Sequence, residues 1–219
     1  MSYIASWSGG KDSCFALYEA VDKGYKISHL VNFISKEFHR VSFHSTEARL
    51  IQLQSQALGI PLLQKETTWD GYEQEFKEAV QNLIPSGVEG MVFGDIYLQE
   101  HRDWVERVCN YLNIEAVEPL WGKSTEEILS CFIGVGFEAV VVSAKSDLID
   151  KDWVGRRVDK AFMENLKKKD IDICGENGEY HTLVTNGPIF NGRIQLIESR
   201  VISRDNYWLL DTIKYELRH

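Results

Sequence analysis

Residues 3–13 read YIASWSGGKDS, and the order of apolar, glycine and polar residues in them indicates the fold class. Its apolar start, Tyr3–Ser6, is typical of a buried strand, and the Ser-Gly-Gly that follows indicates a sharp turn. A helix is predicted from about Ser13, with apolar residues at helical spacing and Gly24 as its end. A strand, a glycine turn and a helix in this order predict a β-α unit.

Strands and helices are predicted to alternate through the first half of the chain. Further strands are predicted at 26–34, 61–65 and 90–93, and helices at 46–58, 70–83 and 99–112. This alternation indicates a parallel sheet covered by helices on both faces, so we predict a Rossmann-like α/β fold. Ligands of such sheets bind beyond the carboxyl ends of the strands. Residues 8–13 and the pair Gly94-Asp95 are predicted to lie there.

The second half of the chain has a different character. Helices are predicted at 125–135 and 153–168 and a strand at 137–143, followed by a Gly/Glu-rich loop that enters a strand within 174–185. Residues 194–201 and 207–215 alternate in the manner of paired strands. We therefore predict two domains, 1–120 and 121–219, the second a smaller α+β domain.

Composition excludes several classes of protein. The 219 residues carry a net charge of −9, which makes the chain a poor general binder of nucleic acid or anionic membranes. No apolar run is long enough to span a bilayer, and the N-terminus lacks the layout of a signal peptide. The four cysteines form no CxxC pair, which favours reduced thiols and a cytoplasmic location.

The loop at residues 8–13 has the chemistry of an anion site. Its two glycines let the backbone turn and approach a ligand closely, and the following helix offers free N–H groups and a positive dipole end. Its two serines add hydroxyl donors, and Lys11 adds a cation. Asp12 either caps the helix or helps to place Mg²⁺. A plain turn with a capping aspartate is the alternative interpretation.

The same six residues, SGGKDS, are not a Walker A motif, because GxxxxGK[ST] is absent. They resemble the PP-loop, SGGxDS, of the ATP pyrophosphatases. In that superfamily the loop holds the β,γ-pyrophosphate, and ATP is cleaved between its α- and β-phosphates. The resemblance implies a substrate that is adenylated and then attacked by ammonia, an amine or sulfur.

A second polar stretch, GENGEYHT, occupies residues 175–182. It places two carboxylates, an amide, a phenol, an imidazole and a hydroxyl between glycines, beside a predicted strand. Carboxylates in a pocket wall can bind ammonium, an amine or Mg²⁺, or act as a general base. A solvated surface loop is the alternative.

Several ordered motifs together resemble the diphthine–ammonia ligase family of N-type ATP pyrophosphatases. They are SGGKDS, GENGEYHT, PLWG (119–122), NGPIF (186–190) and the set Gly94, Asp95, Arg102, Glu106 and Cys109. The resemblance covers nearly the whole chain. It implies an adenine nucleotide α-hydrolase-like (HUP) domain and a C-terminal domain that helps to form the acceptor pocket. Family members use ATP and ammonium to convert the carboxylate of diphthine, on elongation factor 2, to an amide, releasing AMP and pyrophosphate.

The resemblance also implies roles for individual residues. The residues expected to bind ATP are Ser6, Ser8, Gly9, Gly10, Lys11, Asp12, Ser13, Asn32 and Gly94. The residues expected to be catalytic are Lys11, Asp12, Glu176 and Glu179, with Asp12 also a Mg²⁺ ligand and either Glu176 or Glu179 orienting ammonium and taking a proton. The residues expected to contact the acceptor are Asp95, Arg102, Asn177, Tyr180 and Thr182. Arg102 is equally compatible with a structural ion pair to Glu106, four residues on.

The chain departs from the family pattern after the fourth strand. Trp104 replaces a second arginine, and Asp95 takes the position of a small residue. A missing arginine matters where an anionic group must be gripped. The ATP chemistry therefore follows more directly from the sequence than the identity of the acceptor does.

Two other functions are compatible with a PP-loop. One is a tRNA-modifying enzyme, against which the acidic charge and the absence of CxxC argue; the other is a regulatory module that binds nucleotide without catalysis. The apolar surfaces of the smaller domain also allow a homodimer. His39, Arg40 and His44 are expected in a solvent or substrate-side loop, because they offer too few ligands for a metal.

Overall fold

The computed structural model describes residues 1–37 and 46–219. By their contacts, these residues form two compact units. The first comprises 1–8, 12–37 and 60–122, and the second comprises 9–11, 46–59 and 123–219. The division into domains at residue 120 stays a prediction. His39, Arg40 and His44 lie outside the described residues. In the part of the chain that is described, no helix has the length and apolar character that crossing a bilayer requires.

The first unit is built on a parallel sheet. Its strands are β1 (Ser2–Ser6), β2 (Ile27–Ser35), β3 (Leu62–Thr67), β4 (Val88–Val92) and β5 (Glu115–Val117). They lie in the order β3-β2-β1-β4-β5, and every neighbouring pair is parallel. This confirms the predicted Rossmann-like α/β class. β5 has no counterpart among the predicted strands, because three residues are too few for a periodic pattern.

Three helices accompany this sheet in the chain: α1 (Lys11–Asp22), α3 (Tyr72–Gln81) and α4 (Gln99–Leu112). The last has its apolar residues three and four positions apart, so Val105, Val108, Cys109 and Leu112 are buried on one face. The core of the unit joins such helix residues to the strands, through Ile4, Val31, Phe33, Phe76, Val80, Met91, Val105 and Val108.

The second unit contains an antiparallel sheet. Its strands are β6 (Glu138–Lys145), β7 (Tyr180–Asn186), β8 (Arg193–Arg204) and β9 (Tyr207–Arg218), in the order β7-β6-β9-β8. β8 and β9 form a hairpin whose two linking residues, Asp205 and Asn206, both have positive φ, as a tight hairpin turn requires. Three helices belong to this unit: α2 (Ala48–Leu58), α5 (Thr125–Gly134) and α6 (Lys160–Leu166). The predicted α+β character is thereby confirmed.

The helix predicted over 153–168 is wrong in its first half. A short 3-10 turn, Lys151–Trp153, ends before Gly155, which has φ of 89° and breaks the helical path. The next residues run extended beside β6, where the Gly155 N–H donates to the Val141 carbonyl at 2.8 Å. The helix begins only after Asp159, whose carboxylate accepts the Phe162 N–H at 2.8 Å.

Candidate functional site

The SGGKDS loop begins at the carboxyl end of β1 and leads into α1. The helix starts at Lys11, two residues earlier than predicted, so Asp12 lies in its first turn rather than at its cap. In the first unit, the hydroxyl oxygens of Ser8 and Ser13 are 3.1 Å apart. The loop thus presents two hydroxyls and a carboxylate at a helix start, where the N–H groups and dipole favour an anion.

Gly94 lets the chain after β4 come close to this helix start. A Cβ added at Gly94 would lie 2.8 Å from the Ser13 nitrogen and 2.9 Å from the Asp12 carbonyl carbon. Both distances are too short for any side chain, because the neighbouring atoms belong to the backbone. The predicted ATP residues Gly94, Asp12 and Ser13 are therefore brought together within the first unit.

Asn32 and Ser6 lie on neighbouring strands of the same unit. The Asn32 side chain is buried; its amide donates to the Trp7 carbonyl at 2.7 Å and its oxygen accepts from Gln64 at 2.9 Å. Both ends of this amide are used inside the sheet. Asn32 therefore supports the chain just before the loop, and its predicted contact with adenosine stays a prediction. Ser6 is the last residue of β1.

Gly9 is held in the second unit by a residue that no sequence motif indicates. The buried Gln54 donates to the carbonyls of Gly9, at 2.9 Å, and Val184, at 2.8 Å. The Gly9 carbonyl also accepts the Val184 N–H at 2.9 Å. Gly9 has φ of 81°, and an added Cβ would lie 2.4 Å from Ile51. Only glycine fits this position, and the hydrogen bond from Gln54 fixes it. In the sequence, the role of Gln54 is indicated only by the presence of an amide on the apolar face of α2.

Lys11 and Thr182 are joined in the second unit. The Lys11 N–H donates to the Thr182 hydroxyl at 3.0 Å, and both residues are buried. The Lys11 ammonium group donates to the Cys174 carbonyl and lies 5.2 Å from the centre of the Tyr180 ring. Two predicted site residues from the start of the chain and its last third therefore meet.

The loop before β7 is organised by two carboxylates. Glu179 accepts N–H groups of Asp172 (3.1 Å) and Asn177 (3.0 Å), and also the Asn177 side-chain amide (3.1 Å). Asp172 accepts the N–H groups of Cys174 (2.8 Å) and Glu176 (3.2 Å). Burial favours a raised pKa for Glu179, but the Asn177 side chain and the backbone donors outweigh it and lower the pKa. Glu179 is thus a weak base that shapes the loop.

The remaining predicted residues of this loop differ in exposure. Tyr180 is buried, and its hydroxyl donates to the Ile173 carbonyl at 2.5 Å. Asn177 is exposed, and its carbonyl accepts from Lys145 at 2.8 Å. Glu176 is half-buried. Of the two glutamates, Glu179 is the one whose carboxylate is held by N–H groups of the loop backbone.

His181 is neutral at physiological pH. Burial is the main cause that lowers its pKa to about 4, and the positive charges of Lys11 and Lys145 add to this, while Glu179 opposes it. A neutral imidazole beside the loop can exchange hydrogen bonds without adding charge. His181 belongs to the GENGEYHT motif but is not among the predicted site residues.

Asp95, Arg102 and Glu106 lie in a second polar group within the first unit. His101 Nδ1 is 3.1 Å from an Asp95 carboxylate oxygen, and Arg102 donates to Glu106 at 2.9 Å. The Arg102 guanidinium also lies 4.6 Å from the centre of the Trp121 ring. The structural ion pair expected for Arg102 is therefore present, and the substrate contacts of Asp95 and Arg102 stay predictions.

A Mg²⁺ ion requires oxygen ligands. Among residues 1–37 and 46–219, no three His, Cys, Asp or Glu side chains are arranged to hold a metal ion by themselves. Mg²⁺ in nucleotide sites is commonly held by one or two carboxylates together with substrate phosphates and water. The Asp12 carboxylate and the neighbouring serine hydroxyls are of the right chemical kind for that arrangement.

Comparison with known proteins places the chain in a family. Models of the diphthamide synthase N-terminal and C-terminal domains match residues 1–116 and 124–218. Diphthine–ammonia ligase from Bos taurus is 28% identical over 93% of this chain and 85% of that protein. The Homo sapiens protein of the same name is 27% identical, over 92% and 85%. A solved structure described as a predicted subunit of tRNA methyltransferase, from Methanocaldococcus jannaschii, covers 85% of this chain and 97% of its own at 15% identity; its TM-score of 0.44 is too low to inform function.

Proposed function

Because the chain belongs to the diphthamide synthase family, we propose that it is an ATP-dependent ligase that amidates a carboxylate with ammonium. The relatives named diphthine–ammonia ligase support diphthine as the acceptor, and the resemblance of the motifs implies that this diphthine is on elongation factor 2. The products are the amide, AMP and pyrophosphate.

One observation carries the ATP half of the proposal. The SGGKDS loop lies between β1 and α1. Gly94, just after β4, allows the chain there to contact the backbone at the start of α1. Loops at this edge of a parallel sheet are where nucleotides bind. The backbone N–H groups and the Ser8 and Ser13 hydroxyls are suited to the pyrophosphate that leaves.

In the first step, an oxygen of the acceptor carboxylate attacks the α-phosphorus of ATP. The bond from that phosphorus to the oxygen bridging to the β-phosphate breaks, so an acyl-adenylate and pyrophosphate form. Negative charge grows on the leaving pyrophosphate, and preorganised N–H donors stabilise it. Mg²⁺, when bound near Asp12, would supply further charge neutralisation to the phosphates.

In the second step, ammonia attacks the acyl carbon and AMP leaves with the electrons of the broken carbon–oxygen bond. The nitrogen must lose a proton to become the neutral amide. Glu176 is the group we assign to accept it, because Glu179 has a lowered pKa and binds the loop backbone. Glu179, with Asp172, positions the loop that carries Glu176 and Asn177 and leads into the strand of Thr182.

Product analysis tests the proposal. The protein is incubated with ATP, Mg²⁺, ammonium and elongation factor 2 that carries diphthine, and the nucleotides are separated. AMP and pyrophosphate in equal amounts are expected, and formation of ADP and phosphate would refute the mechanism. Asp12→Ala should abolish turnover with the fold intact. Asp22→Ala, which removes the same charge from the exposed end of α1, should leave turnover unchanged.

A further inference from the structure

Glu118 is a buried carboxylate that the motifs do not single out. It follows β5 directly, and its side chain is 7% exposed. One of its oxygens, Oε2, lies 3.6 Å from the Arg102 guanidinium. The other, Oε1, is fully buried and has no hydrogen-bond partner among the described residues. An acceptor left without a donor in the interior is costly, and more so when it is charged.

The charges around Glu118 do not compensate it. Arg102 is shared, because its Nε donates to Glu106 at 2.9 Å, a shorter contact than the one to Glu118. Asp95 and Glu106 add two negative charges that act on Glu118. Glu106 and Glu118 therefore share one guanidinium, while Asp95, which contacts His101, adds its negative charge, so a further positive charge near Glu118 would be stabilising.

The ionisation behaviour of the surrounding groups agrees with that demand. Burial raises the pKa of Glu118, and Asp95 and Glu106 raise it further, while Arg102 lowers it without reversing the outcome. The Cys109 thiol on the same side has its pKa raised to about 12, by burial first and then by the Glu118 charge. A cation bound at Oε1 would relieve both effects.

The position is that of a ligand site. β1, β4 and β5 are neighbouring parallel strands, and Glu118 lies just beyond the carboxyl end of β5, on the edge of the sheet where the loop after β1 also lies. Ligands of open parallel sheets bind along this edge. The Trp121 ring, against which Arg102 packs, gives the group an apolar side.

We propose that Oε1 of Glu118, which has no hydrogen-bond partner among the described residues, accepts a hydrogen bond from a small cation bound in a subsite here. The cation carries N–H groups and is either ammonium or the ammonium group of a primary amine. Asp95 and Glu106 supply the negative field, and Arg102 holds the Glu118 carboxylate from its other oxygen. This inference rests on the proposed function, since it locates the nitrogen substrate before it loses a proton. A metal ion fits less well, because no three suitable ligands converge here within the described residues.

Kinetics of matched variants test the subsite. Glu118→Gln keeps the shape and removes the charge, so the KM for ammonium should rise roughly 10- to 100-fold, as expected when a charge-assisted hydrogen bond is lost. The KM for ATP and the ammonium-independent exchange of pyrophosphate into ATP should stay unchanged. Glu100→Gln, an exposed charge on the first turn of α4, should behave as the wild type. An unchanged ammonium KM in Glu118→Gln would overturn the proposal, as would a rise seen only in Glu176→Gln.

A binding measurement keeps this test separate from the reaction. Thermal unfolding is followed in ammonium chloride, methylammonium chloride and potassium chloride at equal ionic strength. Stabilisation of the wild type by ammonium but not by potassium, lost in Glu118→Gln and weakened in Glu118→Asp, supports the subsite even if no AMP is ever formed. Equal stabilisation by potassium would overturn the requirement for N–H donors. Stronger stabilisation by methylammonium would assign the subsite to primary amines, and stronger stabilisation by ammonium to ammonium itself.

Discussion

Replacing Gln54 with leucine removes the hydrogen bond that holds the Gly9 carbonyl. The Gln54 side chain is fully buried and donates to two carbonyls, those of Gly9 and Val184, at 2.9 and 2.8 Å. Leucine has a similar volume but no donor, so both hydrogen bonds are lost. The Gly9 carbonyl keeps the Val184 N–H, at 2.9 Å, as a remaining partner.

The size of the effect follows from these contacts. Two neutral hydrogen bonds at about 0.5–1.5 kcal/mol each correspond to roughly 1–3 kcal/mol of unfolding free energy. A chain of this length loses about 2–4 °C in Tm for each kcal/mol, so a decrease of roughly 2–12 °C is expected. Since Gly9 also belongs to the SGGKDS loop, which we propose to bind ATP, the KM for ATP should rise in the same variant.

Urea unfolding and the KM for ATP measure the two consequences. Gln56→Leu is the matched control, because Gln56 lies on the exposed face of the same helix. If Gln54→Leu were as stable as Gln56→Leu and bound ATP as the wild type does, the two Gln54 hydrogen bonds would have no energetic role.

Three further perturbations have defined outcomes. Gly94→Ala should lower the free energy of unfolding by about 1–3 kcal/mol and also lower ATP turnover, because its Cβ would meet the Ser13 and Asp12 backbone at under 3.0 Å. Gly134→Ala is the control, since its Cβ meets nothing within 4 Å, and it should change neither quantity. Urea unfolding curves of the two variants measure the difference in stability. The folded-state pKa of His181 is lowered to about 4 from 6.5, because burial disfavours the charged imidazole. The free energy of unfolding is therefore fully retained above pH 6.5 and decreases as the pH falls towards 4, by at most about 3 kcal/mol. His181→Gln should flatten stability in that window, and an unaltered pH profile would contradict the assignment. The lowered pKa of Glu179 likewise means that its stabilisation is present above the ordinary carboxyl value and is lost as the pH falls through the folded-state pKa; Glu179→Gln should remove the acid dependence below pH 4.5 and lower kcat with little change in the KM for ATP.

Much of the first unit could be read from local patterns. The strands β1 to β4 and helix α4 lie within one or two residues of their predicted bounds, because apolar spacing and glycine stops are short-range signals. The helix over 153–168 could not be read correctly. Its apolar spacing is helical, but Gly155 and pairing with β6 hold residues 154–158 extended.

The candidate site divides in the same way. Residues 8–13 form one continuous motif that the sequence alone reveals, and so does the GENGEYHT stretch. Gln54, Asp172 and Glu118 carry no motif. Their roles depend on donors and acceptors up to 130 residues away, as for Gln54 and Val184. Sequence spacing contains no information on such distances.

The sequence alone predicted the parallel α/β class, the position of the SGGKDS loop and the family to which the ordered motifs point. These features depend on neighbouring residues, whose geometry the backbone periodicity fixes. The folded structure was needed to show which polar groups have hydrogen-bond partners: Glu179 is bound to its own loop, Gln54 donates to the Gly9 carbonyl, and one oxygen of Glu118 has no donor among the described residues. The physical reason is that hydrogen bonding and burial are properties of the assembled neighbourhood, and the cost or usefulness of a polar group depends on whether a partner reaches it there.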